Sequence, residues 1–287
     1  MPGVKPLAIP ADVVYIYDGS FDGFLCCVFE SVYGKELPID ILREEEAPLT
    51  LMAVRAIATD PEKAERVRAS IPAKISARAL ELVMTVFCSC LAKKELRLLE
   101  FLLQGYREGG KLCYKLGDAV MVPILRAETH ILREAHLLKG FVRFADVGGA
   151  LVSTITPKNY ILPFIVQHFV LRYRNEQFMI FDKTNKAALV CQNGKAEILR
   201  IDHVSFPEIS ESEARYQALW KQFYNTIAIE SRENSRCRMT HMPKRYWENM
   251  LEVRELLHQA PDRPETTKLV ATPLQGEIGY SRDRLDP

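Results

Sequence analysis

The feature that most constrains the fold is a change of apolar period near Gly140. Between Asp60 and Lys139 apolar residues recur at three- and four-residue intervals, through Val67, Ile71, Ile75, Leu80, Val83, Phe87 and Leu91, the spacing of one helix face. After Gly140 the period becomes two. FVRFAD and ALVSTI flank Val147-Gly148-Gly149 as an antiparallel hairpin, and QFMIFDK, ALVCQ and AEILRID follow as a meander with a turn at Asn193-Gly194. A helix with Leu162, Ile165, Val166, Phe169 and Val170 on its buried side fills residues 159–174 between the two sets of strands. Helices and strands are thus segregated, which predicts an α+β fold: a helical N-terminal and middle block, an antiparallel sheet packed by helices, and a C-terminal helical pair.

Local signals place the remaining elements. VVYIYD, residues 13–18, is a strand that ends at Asp18-Gly19-Ser20 and leads into a helix through Phe24, Leu25, Val28 and Phe29. Such a junction aims helix-terminal amides at a strand end, where a phosphate or cofactor can sit. Without GxGxxG or GKS, capping by Asp18 or Ser20 is the favoured reading. Residues 34–59 form an acid-interrupted connection with a short strand near 49–58, Asp60-Pro61 starts a helix, and Pro72 breaks it. Gly109-Gly110 supplies another break and Gly140 a helix cap. The closing helices run from Glu211 to about Ser231 and from Lys244 to about His258, with the stripe Tyr216, Leu219, Trp220, Phe223 and Ile227, extended by Tyr224, read as core. The expected division is an arm over 1–12, a helical block over 13–140, the sheet and its helices over 141–260, and a disordered tail over 261–287.

Length and composition exclude several classes. A chain of 287 residues buries enough surface to fold without staples, and it has no apolar run of the roughly 18 residues that a membrane span needs. Its start, MPGVKPLAIPADV, is interrupted by prolines and lacks a signal core, so a cytoplasmic protein is expected. Seven cysteines without CxxC or CxxxCxxC spacing suit small buried side chains in a reducing compartment. His130 and His136 are six residues apart and leave a common helix face, and there is no HExxH, so neither a metal nor a cofactor is expected.

The strongest functional signal is SRENSRCRMTHMPKRYW, residues 231–247. Arg232, Arg236, Arg238, Lys244 and Arg245 stand against one acid, Glu233, an excess of four in a chain of net charge +1. Cations neutralise phosphates and flat rings such as Tyr246 and Trp247 stack on bases, the combination that single-strand or flipped-base binding uses. Arg stems covering apolar surface and Trp247 as a core anchor are the competing reading. Arg143 on the strand face of Phe141, and Arg172 and Arg174 with His168 at the end of the adjoining helix, are candidates to extend a basic surface.

The segments YIYDGSFDGFLCCVFE, REAHLLKGFVRF, ILPFIVQHFVLRY, YQALWKQFYNTIAIESREN and HMPKRYWENMLE resemble a bacterial family described as a probable DNA metabolism protein, built on an uncharacterised domain. The resemblance covers about residues 13–252, and HMPKRYW is its most specific part. It implies pairing with a radical-SAM protein of DNA repair or modification; elsewhere the same domain is fused to a uracil-DNA-glycosylase-like domain. It transfers no catalytic residue. Where that family continues with Leu-Pro-Glu, this chain has Asn249-Met250-Leu251-Glu252. Three readings stand: a DNA-binding protein or adaptor using the basic residues with His241, Tyr246 and Trp247; an enzyme on a nucleic acid base or phosphodiester with His241 as acid or base; or a protein interface anchored by the same segment.

Overall fold

A computed structural model of the chain describes residues 8–46, 52–229, 231 and 234–257. The expected tail over 261–287 and Arg232 lie outside the described residues. The VVYIYD run ends strand β1 (Ile9–Tyr17), which leads through α1 (Phe21–Gly34) into β2 (Glu36–Arg43). β2 and β3 (Ala53–Ala56) pair in parallel with opposite edges of β1, so β1 is the central strand of a three-stranded sheet. A central parallel strand is covered on both faces, which is why its apolar residues run together; Val13, Val14, Tyr15 and Tyr17 are all buried. The sequence reading finds β3 but not β2. ELPIDILR carries a proline and two acids, which an edge strand tolerates and a core strand does not. Residues 9–12, expected in the arm, belong to β1.

Four helices follow: α2 (Pro61–Lys74), α3 (Ala77–Phe87), α4 (Lys94–Glu108) and α5 (Met121–Phe141). Asp60 caps α2 by accepting from the backbone N–H groups of Glu62 (2.9 Å) and Lys63 (3.2 Å). Pro72 lies inside α2, whose end comes two residues later. Gly140 likewise lies within the last turn of α5 rather than capping it, so Phe141 closes that helix and Arg143 sits in the connection beyond; the two do not share a strand face. α5 joins two cores. Its Ile124 packs with Phe24, Leu98 and Phe101 in the first, and its Ile131 and Leu138 pack with Phe169 and Phe178 in the second.

The second core lines a five-stranded sheet, β4 (Ala145–Val147), β5 (Ala150–Ile155), β6 (Phe178–Asp182), β7 (Ala187–Gln192) and β8 (Lys195–Arg200), paired in that order. Gly148 and Gly149 (φ 64° and 86°), like Asn193 and Gly194 (52° and 74°), adopt the left-handed backbone that two-residue hairpins require. The sheet is mixed, not wholly antiparallel. Helix α6 (Leu162–Arg172) carries the chain back across it, so β5 and β6 run parallel.

The C-terminal region departs further. α7 (Glu211–Ile227) is present, but a seven-residue helix α8 (Ser235–His241) occupies part of the basic segment, and the expected second helix is replaced by 3-10 turns at Lys244–Asn249 and Arg254–Leu257. Of the apolar stripe of α7, Tyr224 packs against the second core, and Tyr216, Leu219, Phe223 and Ile227 do not. Tyr216 is 70% exposed and Phe223 54%, because α7 meets the body through Glu213, Trp220, Lys221 and Tyr224, about a quarter-turn around the helix. Replacing Phe223 by Asp is therefore expected to change unfolding stability by less than about 0.5 kcal/mol in urea titrations, whereas a buried position would lose several times that. No described helix is long and apolar enough to cross a membrane.

Candidate functional site

The residues of the basic aromatic segment do not converge on one surface. Tyr246 and Trp247 are 2% and 5% exposed and belong to the second core, so neither ring face is open to a base. The Trp247 Nε1–H donates to the Met242 carbonyl at 2.8 Å, which closes HMPKRYW on itself. Arg245 donates to Glu134 at 3.2 Å. Arg143 donates to Glu252 at 2.6 Å and to the Gly140 carbonyl at 2.8 Å, with its guanidinium over the ring of Trp220. These arginines neutralise carboxylates of the fold itself. Arg172 ends α6 exposed and Arg174 just beyond it is exposed, Arg236 and His241 are exposed on α8, Arg238 is half-buried there, and the Lys244 Nζ lies over the ring of Trp247, 5.7 Å from its centroid.

The principal concavity lies elsewhere, between the N-terminal sheet unit and the five-stranded sheet, and encloses about 1250 Å³. Asp18, Gly19 and Ser20 line it. They follow the central strand β1, from which the chain leaves toward β2 while β3 lies on the opposite side, the arrangement that opens a crevice at strand carboxyl ends. The capping reading holds here: Ser20 Oγ accepts from the Gly23 N–H at 2.9 Å and donates to Asp18 at 2.7 Å, while Thr59 donates to the other Asp18 oxygen at 2.8 Å. Burial alone would raise the Asp18 pKa, but these bonds from Ser20 and Thr59 hold it below the usual range. A Cβ on Gly23 would lie 2.2 Å from the Asp18 Oδ1 and 2.8 Å from the Thr59 Oγ1, so any side chain there would have to displace the Asp18 carboxylate and the Thr59 hydroxyl from their bonds.

Rings and cations share the cleft wall. Phe21, Phe87, Tyr160 and Phe164 supply flat apolar surface, and Arg43, Lys93, Lys158 and Arg200 supply charge. Lys93 is paired with Asp40 at 2.9 Å, Arg43 lies 3.9 Å from Glu95, and Arg200 lies 3.9 Å from Glu45. Lys94 is held inward, donating to the carbonyls of Phe87 (2.6 Å) and Ser89 (3.3 Å) at the end of α3, and burial keeps its ammonium below the usual lysine range. Among the described lining residues, five Lys and Arg face seven Asp and Glu, a balance that does not attract a polyanion.

A second, smaller hollow of about 750 Å³ shares the Ser89-Cys90-Leu91 ridge with the cleft. Beneath it lies a buried polar network. Glu134 accepts from the backbone N–H of Asn159 (2.8 Å), the Asn159 side chain (2.6 Å), Tyr246 Oη (2.8 Å) and Arg245. Burial would raise its pKa, but the backbone N–H groups of Lys158 and Asn159 and the Tyr246 hydroxyl hold it low. Asp182, close by at the end of β6, is pushed up to about 6 by burial despite bonds from Asn185 and Thr184. The tyrosine and arginine of HMPKRYW thus bind the carboxylate that supports the β5–α6 turn. Sequence reasoning did not single out Glu134 or Asn159, which become partners only across 25 residues of chain.

Among the described residues no group of three His, Cys, Asp or Glu side chains is placed to hold a metal ion. A family model described as a domain of unknown function, DUF4130, matches residues 92–252. That span runs from α4 to the 3-10 turn at Lys244–Asn249, and leaves the β1–α1 junction and the turn at Arg254–Leu257 outside. No curated protein and no solved structure matches the chain.

Proposed function

We infer that this chain, which belongs to the family of the domain of unknown function DUF4130, is a nucleic-acid-binding protein that takes an unstacked base into its main cleft. The observation that carries this reading is the presence of Phe21, Tyr160 and Phe164 beside Arg43, Lys158 and Arg200 in one concavity. Ring faces stack on bases of any sequence, with each stack contributing about 1–3 kcal/mol. The excess of carboxylates in the lining favours a neutral base with polar edges inside the cleft and keeps the phosphate backbone at its rim. There Lys158 and Arg200 are exposed. DNA is the polymer that the sequence resemblance favours, and delivery of that DNA to a separate radical-SAM enzyme is the adaptor form of the same reading; co-purification of the two proteins without nucleic acid tests it.

Binding to a fluorescent single-stranded oligonucleotide is expected to weaken with salt at a log–log slope of about −2 to −3.5, as three to five phosphate contacts would give. Phe164→Leu keeps apolar volume but removes the flat ring, and should weaken binding about tenfold. Absence of salt-sensitive binding to single-stranded or damaged duplex DNA sinks the reading.

A further inference from the structure

The second hollow differs from the cleft beside it in the sign of its charge. Arg97, Arg126 and His130 line it, and among the described residues no carboxylate does. Arg126 and His130 are one turn apart on α5 and therefore share a face, while Arg97 comes from α4. Arg97 Nε donates to the Ala92 carbonyl at 3.2 Å, which ties its guanidinium to the rim.

The proton of His130 is placed by its neighbour. Asn159 is 1% exposed, and its amide orientation follows from its partners: Oδ1 accepts from the Cys90 N–H at 2.9 Å and Nδ2 donates to the Glu134 carboxylate at 2.6 Å. Nδ2 also lies 3.0 Å from His130 Nδ1. Since an amide NH2 has no acceptor to offer, Nδ1 must be the accepting nitrogen, and the neutral ring carries its hydrogen on Nε2. Glu134 thus orients Asn159, and Asn159 sets the tautomer of His130.

We propose that this hollow is a phosphate-binding subsite, in which a phosphate monoester or diester is held by Arg126, Arg97 and the Nε2–H of His130. Guanidinium forks match phosphate oxygens two at a time, and a neutral imidazole with its hydrogen on Nε2 adds a donor without needing to be charged. Among the described residues no carboxylate in the lining competes for these donors. The subsite stands apart from the base-binding reading, because its ligand is the phosphate group whichever molecule carries it.

The test uses the full chain with 15N-labelled histidine, titrated with inorganic phosphate and, at matched ionic strength, with chloride. The free protein should show His130 with an unprotonated Nδ1 and a protonated Nε2. Phosphate but not chloride should shift the Nε2 signal with a Kd of about 1–10 mM. Arg126→Ala should weaken this at least tenfold; Arg126 is exposed, so its loss spares the fold. Arg97→Ala should also weaken it, and His130→Gln, which keeps an N–H donor, should weaken it less than His130→Ala. A Nδ1–H tautomer, or equal responses to phosphate and chloride, overturns the proposal. A nucleoside monophosphate and a short single-stranded DNA form separate arms. DNA binding without a phosphate response removes the subsite and leaves the base cleft standing, while a phosphate response without DNA binding does the reverse.

Discussion

Glu134→Ala is expected to lower unfolding stability by about 3–5 kcal/mol, since truncation of one partner leaves a buried charge and several donors unpaired. The side chain is 1% exposed and accepts from two backbone N–H groups, an amide, a phenol and a guanidinium. In a chain of this size the loss corresponds to a fall in Tm of roughly 10 °C, measured by calorimetry near neutral pH. Acid should narrow the gap. The Glu134 pKa is lowered in the folded chain, so its contribution is complete above the ordinary carboxylate value and disappears as pH falls through the lowered one. Wild type and variant should therefore converge at low pH, and a gap that widens there would contradict an ionised Glu134. Glu134→Gln, which retains an acceptor, should lose less.

The second large effect is Trp247→Ala, with an expected loss of about 3–5 kcal/mol in urea unfolding, the cost of a cavity where an aromatic side chain filled a core. Trp247 packs with Tyr246, Met250 and Val253 in the second core. A ring serving as a surface platform for bases would behave in the opposite way, with stability unchanged and DNA affinity reduced. Trp247→Phe should recover much of the stability, and oligonucleotide affinity measured on the folded fraction should remain near wild type.

Much of the fold is legible from local pattern. The Asn193-Gly194 turn, the Asp60 cap, the hairpin at Gly148-Gly149 and the helix at Leu162–Arg172 each follow from backbone preferences within a few residues. β2 escapes because ELPIDILR is an edge strand whose acids and proline mask its pairing with β1. α7 misleads in another way: an amphipathic stripe shows that an apolar face exists, and cannot say whether another element covers it. For the site, Asp18-Gly19-Ser20 marks one wall of the main cleft. Arg97, Arg126, His130 and Asn159 come from three separate parts of the chain, and the only local trace of their hollow is the four-residue interval between Arg126 and His130.

HMPKRYW illustrates the division. Its residues by themselves determine a short turn-forming segment rich in charge and rings, because composition and the proline act locally. Only the tertiary structure decides that Arg245 and Tyr246 turn inward to a carboxylate 111 and 112 residues away, and that Trp247 closes a core. Which face of a ring or cation meets water depends on what packs against it. That partner is brought by the path of the whole chain, and a buried acid such as Glu134 captures the nearest donors because leaving it unpaired costs more than the order it imposes.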